Sequence, residues 1–262
     1  MRPAGFTLVE VIVVISILAF LMAILVPVLS NSREQTRTTL CATKMNNLLL
    51  SLQTYDAEHG TLPPGLDDPG IRPPGGDMRP TGWFWFHFTG VIHNESIKDR
   101  RLLKCPSSRL DSPDLRNWVV YGNYGVNRFL CKSGQGLGFY GEDIQGTPMS
   151  IAALRQPGET LLIVDSGFAL VSWWNATREP PEPIVVKNMW DSSYIPGLEI
   201  NSEKTLTLWP GQETDAIGGR HRGKIVNVGF ADGHIRPTKA GELLVEKTGE
   251  NEWNNSPLWR PR

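Results

Sequence analysis

The chain has 262 residues, 26 Lys and Arg against 27 Asp and Glu, and a formal net charge of -1, so it carries no field that would draw in nucleic acid. Three cysteines, Cys41, Cys105 and Cys131, are too few for a disulfide framework. Residues 61–262 hold 24 of the 26 Gly, 18 of the 20 Pro and all nine Trp, which favours a loop-rich β domain over a helical bundle in that part.

In chain order, a short leader, Met1-Arg2-Pro3-Ala4-Gly5, comes first. From Phe6 to Leu29 only Thr7, Glu10, Ser16 and Pro27 are not apolar. As a helix this stretch reaches about 36 Å, enough to cross a bilayer. Glu10 is the exception that asks for an explanation, because an ionisable side chain inside such a run is costly and needs a partner.

Gly5-Phe6-Thr7-Leu8-Val9-Glu10 and the apolar run behind it resemble the prepilin-type cleavage and methylation segment of type IV pilins and type II secretion pseudopilins. The resemblance implies cleavage by prepilin peptidase between Gly5 and Phe6, with Phe6 becoming the N-methylated terminus. It also implies that Glu10 pairs with the terminal amine of a neighbouring subunit as helices stack into a filament. Pro27 then marks a segment of the helix that can melt during assembly.

Beyond Pro27 the apolar residues Cys41, Met45, Leu48, Leu52 and Tyr55 recur at helical spacing and draw one stripe. This predicts one long helix, greasy all round in its first half and amphipathic in its second, that ends near Glu58-His59-Gly60, with Gly60 as cap and Pro63-Pro64 preventing continuation. The expected division is a leader over 1–5, a transmembrane and filament-core helix over 6–30, its amphipathic continuation over 31–60, and a β-rich globular domain over 61–262.

Residues 61–82 are turn-rich. Asp67, Asp68 and Asp77 there offer a weak case for a structural calcium, against which stands the lack of a spaced ligand series. No other cofactor is expected. The aromatic block Trp83 to Phe88 reads as core or subunit contact, since no basic residue interleaves it.

Strands are expected at Trp118 to Tyr121, Thr160 to Val164, Phe168 to Trp173, Ile184 to Lys187, Thr205 to Trp209 and Lys224 to Phe230. In the last, Val226, Val228 and Phe230 alternate with Ile225, Asn227 and Gly229, and Asp232-Gly233 signals a hairpin toward Ile235. Asp165, at the end of a predicted strand, is a polar candidate with no identifiable partner.

A subset of prepilin-type proteins carries a His and a closing Asp-Gly-His hairpin, and His221, Asp232, Gly233 and His234 resemble that C-terminal motif. Ten residues separate His221 from Asp232, where the resembled pattern has nine. For the cysteines, a Cys105–Cys131 bridge that leaves Cys41 free and a set of three buried thiols are both open.

The expected fold is therefore α+β: a long N-terminal helix packed on a loop-rich, mostly antiparallel sheet, as in pilins. The expected function is that of a minor pilin or pseudopilin of a type IV pilus or type II secretion system. It would be structural and non-catalytic, with no metal. Its partners would be prepilin peptidase, other pilin subunits and the inner membrane, crossed once, with the C-terminal domain in the periplasm or at the cell surface. Two readings of other classes compete. One is an anchored binding module using Trp83 to Phe88 and Trp173-Trp174 as contact surfaces; the other is an anchored metallohydrolase built on His221, Asp232 and His234.

Overall fold

The computed structural model describes residues 7–67, 83–90, 100–108, 110, 121–133, 145–180, 193–204, 206, 208 and 210–261. Helix α1, Leu8–His59, runs without interruption for 52 residues and passes through Pro27. Pro27 has no N–H to donate to the carbonyl of Ala23, so one rung of the ladder is missing there. The helix ends as the sequence predicts. Gly60 takes the left-handed conformation (φ 75°) and its N–H closes on the Asp56 carbonyl at 2.8 Å.

The sheet that receives α1 has five strands among the described residues: β3 Tyr124–Asn127, β4 Leu161–Asp165, β5 Leu170–Val171, β6 Ile225–Phe230 and β7 Ile235–Lys239. Two short strands, β1 Leu66–Asp67 and β2 Trp83–Phe84, pair with each other ahead of it, and the short helix α2, Trp85–Phe88, follows β2 directly. The order across the large sheet is β5-β3-β4-β6-β7, and only the β3–β5 pair is parallel. The β6–β7 hairpin turns at Asp232-Gly233, with Gly233 at φ 104°. The predicted strand at Trp118 to Tyr121 lies outside the described residues except for Tyr121, which bridges to Phe168. Ile184 to Lys187 lies wholly outside them and Thr205 to Trp209 largely so. Phe168 to Trp173 shrinks to two strand residues, because Trp173–Ala176 winds into a 3-10 turn.

Each sheet face carries its own core. On one side Cys41, Met45, Leu48, Leu49 and Leu52 of α1 lie over Val126, Leu162 and Ile163. On the other, Val164, Val226, Val228 and Phe230 pack with Trp173, Leu243 and Trp259. The α1 stripe follows from periodicity 3.6 meeting periodicity 2, and each of its large apolar side chains contributes about 1.5–3 kcal/mol on burial. Close approach requires Gly229. A Cβ there would fall 2.6 Å from Ile163 Cγ2 and 3.3 Å from Leu49 Cδ2. The far end of the helix is pinned by polar contacts: Gln53 donates to the Ala231 carbonyl at 3.1 Å, and Asp56 accepts the Ile151 N–H at 3.2 Å.

Nearer the free N-terminal half of α1 the pin is covalent. Cys41 of α1 is bonded to Cys105, which follows the short helix α3 (Arg100–Leu103). Both open readings of the cysteines, the Cys105–Cys131 bridge with Cys41 free and the three buried thiols, are therefore corrected. Cys131 is a free thiol in the core, fully buried below β3, and burial pushes its pKa far up, helped by the charge of Asp56. Sequence spacing could not show this, since the true partner sits one helical turn before Met45 on an element 64 residues away. Lys44 reinforces the junction by donating to the carbonyls of Arg101 and Lys104 at 2.7 and 2.8 Å, where the exposed end of α3 favours a cation.

Peptide mapping of the unreduced chain should recover Cys41 linked to Cys105, with one thiol titrating at Cys131 only after denaturation. Reduction under metal-free conditions should lower the unfolding free energy by about 4 kcal/mol, the loop-closure value for this separation. A Cys105–Cys131 peptide would overturn the assignment.

Candidate functional site

Two regions stand apart from the packed core. The first is the free half of α1. Its apolar side chains from Leu8 to Leu29 are all exposed, although the segment is as greasy as any buried helix. A helix hydrophobic on every side belongs in a core or a membrane, and the globular domain does not cover this one. By length and composition it is a candidate membrane span. Thr7 caps its start. The Thr7 hydroxyl accepts the Glu10 N–H at 3.3 Å, and the Glu10 Oε2 accepts the Thr7 N–H at 2.8 Å and the Thr7 hydroxyl at 2.7 Å. This capping box satisfies end groups that would otherwise be orphaned in hydrocarbon. The predicted cleavage pair, Gly5 and Phe6, lies outside the described residues.

The second region is a buried polar cluster where β4 ends beside the start of β6. Antiparallel pairing of these strands puts Asp165 next to Asn227, whose backbone N–H donates to Asp165 Oδ2 at 2.7 Å. The segment entering β6 brings Arg220 and His221 to the same place. Arg220 Nε and Nη2 clamp Asp215 of helix α4 (Gln212–Gly218) at 3.1 and 2.7 Å, and Nη2 also donates to the Ser166 carbonyl. Its Nη1 lies 3.8 Å from Asp165 Oδ1 and donates to the Asn123 carbonyl. Burial alone would favour a neutral guanidine. The charges of Asp215 and Asp165 and the Asp215 hydrogen bonds outweigh it, so Arg220 holds its proton more firmly than usual. Tyr194 donates to Asp215 at 2.9 Å, and burial, then the Asp215 charge, pushes its phenol pKa well up.

His221 closes the cluster toward α1. Its Nε2 is 3.3 Å from Asp165 Oδ2 and 3.9 Å from Cys105 Sγ, and its Nδ1 is 3.1 Å from Thr38 Oγ1. Glu34 reaches in from α1, 4.0 Å from Nδ1. The cluster thus fastens helix to sheet through polar groups.

The structure separates what the sequence motif had grouped. His221 sits beside Thr38, before β6 begins, whereas Asp232 and Gly233 sit beyond its end, under Gln53. Six strand residues and fourteen helix residues lie between these ends, each a path of about 20 Å. Asp232 and His234 bond to each other at 2.7 Å at the surface, and Asp232 serves the turn by accepting the His234 N–H. No shared metal or hydrolytic centre of His221, Asp232 and His234 exists. Of the two aromatic segments, Phe88 and Trp174 are half-buried and most of the rest is core, as the core reading of the first block expects. Phe84, Trp85, Phe86 and His87 are buried, and Trp173 packs inside against Trp253. The calcium candidates Asp68 and Asp77 lie outside the described residues. Sequence reasoning missed Arg220 and Asp215. The available signal was a carboxylate, Asp165, at the end of an apolar strand, which when buried demands a cation.

Because Asp165 and Asp215 are buried with Arg220, removing the cation leaves two uncompensated carboxylates. Arg220→Ala should destabilise the chain by about 3–5 kcal/mol in urea unfolding. Arg178→Ala, which breaks the exposed pairs with Glu199 and Glu203, should have a much smaller effect.

Comparison with known proteins bears on the first region. No curated protein sequence and no solved structure matches this chain. Residues 1–26 match the prokaryotic N-terminal methylation motif. This chain therefore carries a prepilin-type N-terminal methylation motif on a candidate membrane helix, joined to an α+β domain consistent with a type IV pilin-like protein.

Proposed function

We propose that this protein is a minor pilin or pseudopilin: an inner-membrane precursor, cut by prepilin peptidase between Gly5 and Phe6, methylated on Phe6 and assembled into a filament of a type IV pilus or a type II secretion system. The observation that supports this most is the split of α1 into an uncovered apolar half that bears the methylation motif and a half seated on the sheet. In the membrane the uncovered half is held by lipid, and in a filament by the same half of neighbouring subunits. The role is structural. The C-terminal domain stands on the periplasmic side or at the surface, displayed by the rod.

Glu10 sets register in this reading. Within one chain both of its bonds from Thr7 end on Oε2, so a neighbour's terminal amine can approach the other oxygen without dismantling the cap. Pro27 gives the rod a place to loosen as it passes from lipid to filament, since its rung of the ladder is already absent.

Intact mass and N-terminal sequencing of protein extracted from native membranes should show a chain that starts at N-methylated Phe6. A chain that begins at Met1 would reduce the segment to an anchor, and Gly5→Leu should produce that unprocessed form. Glu10→Ala and Glu10→Leu should leave membrane insertion intact and lower recovery in sheared filaments. Normal incorporation of both would sink the role given to Glu10.

A further inference from the structure

Cys41, Cys105 and His221 present two sulfurs and an imidazole nitrogen that all lie within 4.8 Å of one another, and all three residues are buried. They come from three separate parts of the chain: α1, the loop after α3 and the segment that leads into β6. In the oxidised chain both sulfurs are used in one bond. Once reduced, they are soft donors, and two thiolates with one imidazole make up three quarters of a structural zinc set.

The geometry suits such a set. A tetrahedral site with Zn–S of about 2.3 Å and Zn–N of about 2.0 Å holds sulfur and nitrogen about 3.6 Å apart. Cys105 Sγ and His221 Nε2 are already 3.9 Å apart, so the main change required is separation of the two sulfurs. A fourth donor stands ready. Asp165 Oδ2 is 3.3 Å from Nε2, and its Oδ1 is buried and accepts no hydrogen bond among the described residues. The remaining ring nitrogen faces Thr38 Oγ1 at 3.1 Å, the outer contact that fixes ring orientation in metal sites. Charge also balances. Two thiolates plus a divalent cation add nothing to the net charge of the Asp165–Arg220–Asp215 network.

We propose that reduction of Cys41–Cys105 creates a site for a soft divalent cation of the zinc class, with Cys41 Sγ, Cys105 Sγ, His221 Nε2 and Asp165 as ligands. A dithiol reductant gives two electrons and two protons, the S–S bond breaks, and the reductant leaves as its own disulfide. Zinc then displaces the two thiol protons to solvent as two Zn–S bonds form. A cleft of about 240 Å³ lined by Glu34, Gly219 and His221 adjoins the proposed imidazole ligand. In both states Cys41 stays tied to the Cys105 loop, through a covalent bond in one and through the metal in the other.

The test uses the full chain in detergent with Cys131→Ser, so that only the two proposed thiols remain. After reduction with a phosphine, addition of Zn²⁺ and desalting, about one zinc per chain should be retained, and the thermal midpoint lost on reduction should be regained. The oxidised chain should retain none. Co²⁺ in place of Zn²⁺ should give a thiolate-to-cobalt charge-transfer band, absent in Cys41→Ser/Cys105→Ser. Because an unfolded reduced chain would also offer thiolates, His221→Ala is decisive, with at least about tenfold weaker binding expected. Unchanged affinity in that variant, zinc retention no higher than in the double serine variant, or equal retention by the oxidised chain would each overturn the site.

Discussion

One helix has to satisfy two solvents, and the rest of the structure depends on how α1 does so. Its first half has no polar face to offer water. Its second half has one apolar stripe and cannot be stable in lipid, with Arg33, Glu34, Arg37 and Lys44 along it. The change from one regime to the other is written within a few residues after Pro27. Later parts of the chain, from the glycine in β6 that admits Leu49 to the carbonyls that accept from Lys44 and Gln53, hold the second half against the sheet.

That seam is fastened differently at its two ends and in its middle. The middle is apolar and non-directional, and by itself would tolerate a sliding helix. The ends are directional. At one end Gln53 and Asp56 meet backbone groups of the turn after β6 and of the 150s loop. At the other, the disulfide, Lys44 and the contacts of Thr38 and Glu34 with His221 fix rotation as well as position. Buried charge is a poor source of net stability, but its geometry is demanding, and Arg220 can meet Asp215, Asn123 and Ser166 in only one arrangement of α4, β3 and β4.

How much of this could be read from residues alone follows from the range of each signal. The apolar N-terminal run, the helix stripe, the Gly60 stop and the β6–β7 hairpin are local patterns read from composition, a period of 3.6 or 2 or a two-residue turn, and each appears where it was read. The strand Tyr124–Asn127 was missed because Gly122, Asn123, Gly125 and Asn127 look like loop. Asn127 is in fact buried, where its amide donates to the Leu161 and Trp259 carbonyls. The cysteine pairing and the Arg220 network were illegible for another reason. Both join residues that only the packing of α1 on the sheet brings together, and no spacing encodes that. The grouping of His221 with Asp232 failed conversely: nearness in sequence across a strand is distance in space.

The position of the Cys41–Cys105 bond has a mechanical consequence. It lies toward the end of the seam nearest the uncovered half of α1, ahead of Met45, Leu48 and Leu52. A pull along α1 meets the polar contacts of Glu34 and Thr38 first, and that bond is the first covalent link it reaches. The load passes into the Cys105 loop before it can shear the apolar contacts beyond, so α1 and the domain it is bonded to respond to such a pull as one body.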